Sequence, residues 1–172
     1  MPLPTFNHLP ADKQARVRAA LLEEFSQYPL AQAQVARIVK SAGIARGAFY
    51  KYYADLNDAY RDLFGVAMQA IHQGMPARPT ADNIPAYVDT IREFMARTDQ
   101  SGYRRLIAMH YRYNEGAFGA QPTKLTADPQ AAREWARTVL YHQTVRDIVL
   151  APETQAARLK QLEAALLVGK DA

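Results

Sequence analysis

Within Arg46-Gly47-Ala48-Phe49-Tyr50-Lys51, two cationic side chains and a phenol are set among small and aromatic residues. All six fit within two turns of helix. An arginine can donate two parallel hydrogen bonds to a flat acceptor edge, and a lysine can neutralise a single phosphate. This segment therefore suits a polyanion better than a small reacting substrate. Enzymatic chemistry finds little support elsewhere. The chain has no cysteine, and its serines (Ser26, Ser41 and Ser101) stand outside any nucleophile-elbow setting. No glycine-rich loop suited to phosphates appears, and the histidines form no His-x-x-x-His pair, so neither a metal nor a cofactor is expected.

Charge placement agrees with a polyanion partner. The 172 residues carry a net charge of +4. Residues 1–53 hold seven bases against three acids, whereas the remainder holds fourteen of each. A basic N-terminal unit on a neutral remainder suggests a polyanion-binding head on a body with another task. The start, Met1-Pro2-Leu3-Pro4, lacks the basic and apolar regions of a signal peptide. The longest uncharged stretch, 63–77, contains Gln69, His72, Gln73 and Pro76 and is no membrane span. A soluble cytoplasmic protein is the expectation.

The elements that must position these residues are helical. Apolar residues recur with helical spacing along nearly the whole chain, and no alternating β-branched run reads as a strand. Helices are expected over about 10–28, 35–42, 45–53, 55–74, 84–95, 102–115, 129–150 and 152–168. That gives eight, with a break at 75–80 and a loop over 116–127. Pro10 suits a first turn, Gly43 a left-handed C-terminal cap, and Asp128-Pro129 a helix start.

Residues 35–53 have the layout of a helix-turn-helix. Gly43 supplies the corner, and Ile38, Ala42, Ile44 and Phe49 lock the second helix against the first. Arg46, Gly47, Ala48, Tyr50 and Lys51 are left outward, the geometry of a helix that enters a DNA major groove. With Tyr52 they form the candidate DNA-binding set.

Over Ala42-Gly43-Ile44-Ala45-Arg46-Gly47-Ala48-Phe49-Tyr50-Lys51-Tyr52-Tyr53 the sequence resembles the TetR family of bacterial transcriptional regulators. The likeness extends over about residues 10–65, and it adds Gln34, at the start of the second helix, to the candidate DNA-binding set. It departs from the family pattern at Val39, at Ala33-Gln34 where a Ser or Thr cap is usual, and at Ala45, Ala48 and Leu56. Alanine cannot hydrogen-bond a base edge, though it can touch a thymine methyl.

The resemblance implies an all-α protein: a DNA-binding domain over 1–54 and a ligand-binding, dimerisation domain over 55–172. It implies a homodimeric repressor that leaves its double-stranded operator when a small effector binds the body. The fourth helix would join the two parts, and the last two helices, with the stripe Leu159, Leu162 and Leu166, would pair with their copies. Tyr87, Ile91, Phe94, Met95, Leu106, Met109, His110, Tyr113 and Trp135 are the candidate effector lining. Their aromatic and methionine character favours a largely apolar ligand. The competing reading is a helix-turn-helix protein with a non-specific DNA-binding or protein-interaction role and no effector.

Overall fold

The computed structural model describes residues 2–73, 83–118 and 127–168. Among these residues the fold is all helical, with nine α-helices. The chain divides into two compact units: Met1–Ile71 with Gly102–Phe118, and His72–Ser101 with Gly119–Ala172. This line differs from a division at 54/55, because most of the fourth expected helix and residues 102–118 group with the head.

In the first unit, α1 (Pro4–Asn7) is a single turn that the periodicity does not reveal. Pro10 lies just outside α2 (Ala11–Gln27), which buries Val17, Leu21 and Phe25 on one stripe. A 3₁₀ turn, Leu30–Gln32, leads into α3 (Val35–Ala42). Then follow α4 (Arg46–Tyr52) and α5 (Leu56–His72). Asp55 accepts from the backbone N–H of Asp58 at 2.8 Å and so caps the start of α5. Phe25 and Tyr60 meet edge to face with ring centroids 5.0 Å apart, an arrangement that adds roughly 0.5–1.5 kcal/mol beyond area burial.

The expected helix over 102–115 is broken into three kinds of turn. Gly102, at φ 76°, precedes α7 (Tyr103–Met109). A π turn over His110–Asn114 and a 3₁₀ turn over Glu115–Phe118 follow. α7 packs on α2, and Leu106 enters the head core. The expected break at 75–80 and most of the expected 116–127 loop lie outside the described residues.

The second unit contains α6 (Ile84–Gln100), α8 (Pro129–Leu150) and α9 (Gln155–Val168). Asp128 caps α8 by accepting from the N–H of Ala131 at 2.7 Å. Pro152 opens a 3₁₀ turn, and α9 begins only at Gln155. The leucine stripe is used inside the chain. Leu159, Leu162 and Leu166 are buried within the chain, where α9 packs against α6 and α8. Among the described residues of this unit, the large apolar side chains left outward are Trp135, Val139 and Leu140 on α8 and Leu167 and Val168 on α9.

Candidate nucleic-acid interface

The corner between α3 and α4 is set by backbone geometry. Gly43 adopts φ 64°, ψ 40°, the left-handed region. There the N–H of Ile44 reaches back to the carbonyl of Val39 at 3.0 Å, closing the end of α3 as a Schellman-type cap. A side chain at Gly43 would meet open space but would strain the backbone.

α4 is seated from below by aromatic rings. Phe49 and Tyr53 are fully buried, with centroids 5.7 Å apart. Arg46, Gly47, Tyr50 and Lys51 are exposed, and Ala48 is half-buried. Tyr50 is 47% exposed, with its ring edge against Phe49 at 5.3 Å. Arg46, Tyr50 and Lys51 thus share the open side of a helix whose other side is fixed in the core.

Tyr52 is a correction. Its ring is 4% exposed, too enclosed to reach a base or phosphate. Phe6 of α1 covers it at 5.8 Å, and its carbonyl accepts from the N–H of Leu3 at 2.8 Å. Tyr52 belongs to the support of α4.

Gln34 is exposed, and its side chain makes no cap bond at the start of α3. Its backbone N–H donates instead to Glu24 of α2 at 2.7 Å. Arg37 is held by the same carboxylate, which raises the guanidinium pKa above its ordinary value through hydrogen bonding. Tyr53 donates to Asp62 at 2.9 Å, and Asp62 also pairs with Arg18 at 3.3 Å. Burial, reinforced by the charge of Asp62, holds the Tyr53 phenol far above the usual tyrosine range.

The nine candidate effector residues do not converge within either unit. Tyr87, Ile91, Phe94 and Met95 form a buried face of α6 in the second unit. Leu106, Met109, His110 and Tyr113 lie in the first unit, where Leu106 is core and Tyr113 is exposed. Trp135 is half exposed on α8. His110 stacks on Phe64 at 4.2 Å, and its Nδ1 lies 3.2 Å from the hydroxyl of Tyr60. Phe118 closes this group at 5.5 Å from the imidazole. Sequence reasoning missed Tyr60 and Phe64 as neighbours of His110. Their spacing of four on α5 was the available signal.

Among the described residues, no helix is long and apolar enough to cross a membrane. None of their His, Asp or Glu side chains cluster in threes that could hold a metal ion.

Residues 17–55 match the family model of bacterial regulatory proteins, tetR family. No curated protein matches the chain. A TetR family transcriptional regulator from Chloroflexus aurantiacus J-10-fl has a similar fold, with a TM-score of 0.57 and 22% identity over 98% of each chain. A protein described as a transcriptional regulator from Streptomyces coelicolor gives the same TM-score of 0.57 and 22% identity, covering 91% of this chain and 95% of the other. At that identity the two structures speak for the fold, while the matched head speaks for the family. Its members are DNA-binding regulators and not enzymes. Residues 17–55 thus carry a head similar to the TetR-family helix-turn-helix domain, and the chain as a whole shares the fold of the two regulators.

Proposed function

We propose that this protein is a homodimeric repressor of the bacterial cytoplasm, released from its operator by a small, largely apolar effector. The observation that carries the reading is the open face of α4. Arg46, Tyr50 and Lys51 are exposed there, while Phe49, Tyr52 and Tyr53 fix the opposite side in the core. Arg46 would read a guanine edge, Lys51 would meet a phosphate, and Ala48 would touch a thymine methyl.

A single head with so few phosphate contacts binds weakly, so two are needed on one face of the duplex, about 34–36 Å apart. Trp135, Val139 and Leu140 on α8, with Leu167 and Val168 on α9, are the apolar side chains available for pairing two copies. The buried face of α6 and the group around His110 support an apolar effector, because both are aromatic and poor in charge. Release would then require an element whose position differs between the bound and free states. α5 and residues 102–118 are the candidates, since both pack in the head.

The test is a titration of the wild-type protein with a duplex from the region preceding its own coding sequence. A scrambled duplex of equal length and a series of salt concentrations provide the comparison. Preference for the upstream duplex, abolished by an apolar compound that also raises the melting temperature, is the expected result. Equal, salt-sensitive binding to both duplexes would favour the effector-free, non-specific reading.

A further inference from the structure

Glu24 is a carboxylate that the DNA-binding face does not use. It sits near the end of α2, 4% exposed, and donors from the next segment converge on it. The N–H of Gln34 reaches Oε1 at 2.7 Å. From Arg37, Nη2 reaches Oε1 at 2.6 Å and Nε reaches Oε2 at 2.8 Å. Arg37 in turn donates to the carbonyl of Gln32 at 2.9 Å and lies 3.8 Å over the ring of Tyr28. One side chain of α2 thus fastens the residue before α3, the first turn of α3, and the preceding connection. At the other end of the same interface, Ser41 donates to Glu23 at 2.5 Å.

This arrangement answers a gap in the sequence. Ala33-Gln34 offers no hydroxyl to cap α3, and no side-chain cap is made locally. The missing acceptor comes from another helix. A local Ser or Thr would satisfy the same N–H without reference to α2. A carboxylate from α2 satisfies it only when α3 lies at one height and one rotation on α2. Because Gly43 couples α3 rigidly to α4, that setting is passed on to Arg46, Tyr50 and Lys51.

Energetics point the same way. The Glu24 carboxylate is buried while the Arg37 side chain is 34% exposed, so the pair adds little net stability, and the best-attested use of such a pair is to fix register. Arg37 is already turned toward Glu24, Gln32 and Tyr28, which makes it a poor phosphate ligand. We propose that Glu24, acting through Gln34 and Arg37, is a positioning residue for DNA recognition that orients α3 on α2 and thereby presents α4. The proposal rests on the DNA-binding reading above.

The experiment compares wild type, the double variant Glu24→Leu with Arg37→Leu, the single variant Glu24→Gln, and Arg37→Ala. Each is melted, and each is titrated well below its melting temperature with the upstream and scrambled duplexes over a range of salt. The double variant should unfold cooperatively near the wild-type temperature yet bind the upstream duplex at least about tenfold more weakly. Its binding to the scrambled duplex should be unchanged. Glu24→Gln keeps an acceptor for Gln34 and should fall between the two.

Wild-type preference retained by the folded double variant overturns the proposal alone. So does a double variant that fails to fold while Glu24→Gln folds and binds as wild type. A salt slope lowered by about one on both duplexes in Arg37→Ala would make Arg37 a phosphate contact, which also overturns it. A wild type without preference for the upstream duplex removes specific recognition itself, and the proposal with it.

Discussion

The side-chain oxygen of Asn114 accepts a hydrogen bond from the backbone N–H of Leu30 at 2.9 Å, across 84 residues of sequence. Asn114 closes the π turn after α7, and Leu30 opens the 3₁₀ turn before α3. The helix-turn-helix is therefore tied to residues 102–118 at its leading turn as well as through the covalent chain. Replacing Asn114 with Ala leaves a part-buried N–H without its acceptor. The expected cost is about 1–3 kcal/mol of unfolding free energy. Urea denaturation of Asn114→Ala beside Asn114→Asp, which keeps an acceptor oxygen, checks this.

Two tyrosines of α4 should respond in opposite ways. Tyr52→Ala opens a cavity under Phe6 and is expected to cost about 3–5 kcal/mol, as for other buried aromatics. Tyr50→Ala removes an exposed ring and should change stability by no more than about 0.5 kcal/mol. Its effect belongs in DNA affinity. Equilibrium denaturation and duplex titration of both variants separate the two roles.

The bases of α4 should separate by salt. Lys51→Ala is expected to lower the slope of log affinity against log salt by about one, and equally for all sequences. Arg46→Ala should cost about 1–3 kcal/mol on the preferred duplex and relax its sequence preference. Unchanged binding by both folded variants would remove α4 as the reading element.

In the second unit, Leu162→Ala should lower stability by about 2–5 kcal/mol, because the side chain is buried inside the chain. Val139→Glu with Leu140→Glu changes two exposed positions instead. That variant is expected to stay folded but to scatter light as a monomer at concentrations where wild type is dimeric. A wild-type monomer at micromolar concentration would contradict the proposed assembly.

Alkaline stability should carry the mark of Tyr60, whose phenol burial pushes up to about 12. In the unfolded chain the same group titrates near its ordinary value of about 10, so the unfolded state loses its proton first. Stability from this residue is complete below about pH 10 and is lost as the pH climbs through about 12. Tyr60→Phe should flatten that decline. Phenolate absorbance from the buried tyrosines should appear together with unfolding.

Much of the head could be read from local pattern. Gly43 as the left-handed corner, Phe49 inward and Tyr50 outward all follow from one helical turn and its cap. Tyr52 could not be placed that way, because its cover is Phe6 from the far end of the head's sequence. Nor could the cap of α3 be foreseen, since the acceptor is a glutamate on another helix. The stripe Leu159, Leu162 and Leu166 shows why periodicity names a buried face but not its partner. Helices of the same chain and helices of a second copy would select the same leucines. Residues 102–115 have the spacing of a continuous helix, yet the π turn at His110–Asn114 shifts that register. The shift seats His110 beside Phe64 and Asn114 against Leu30.

The clasp of Phe6 on Tyr52 and Tyr53 bears on how the protein is made. Chains emerge from the ribosome N-terminus first, yet the opening turn of this one lacks its aromatic seat until the end of α4 has been synthesised. The head core therefore stays incomplete until α4 has been made, and its earliest residues are among the last to settle. A bulky addition directly before α1 would then interfere with maturation of the reading helix, and truncation before Phe6 would remove the Leu3 N–H that bonds the Tyr52 carbonyl.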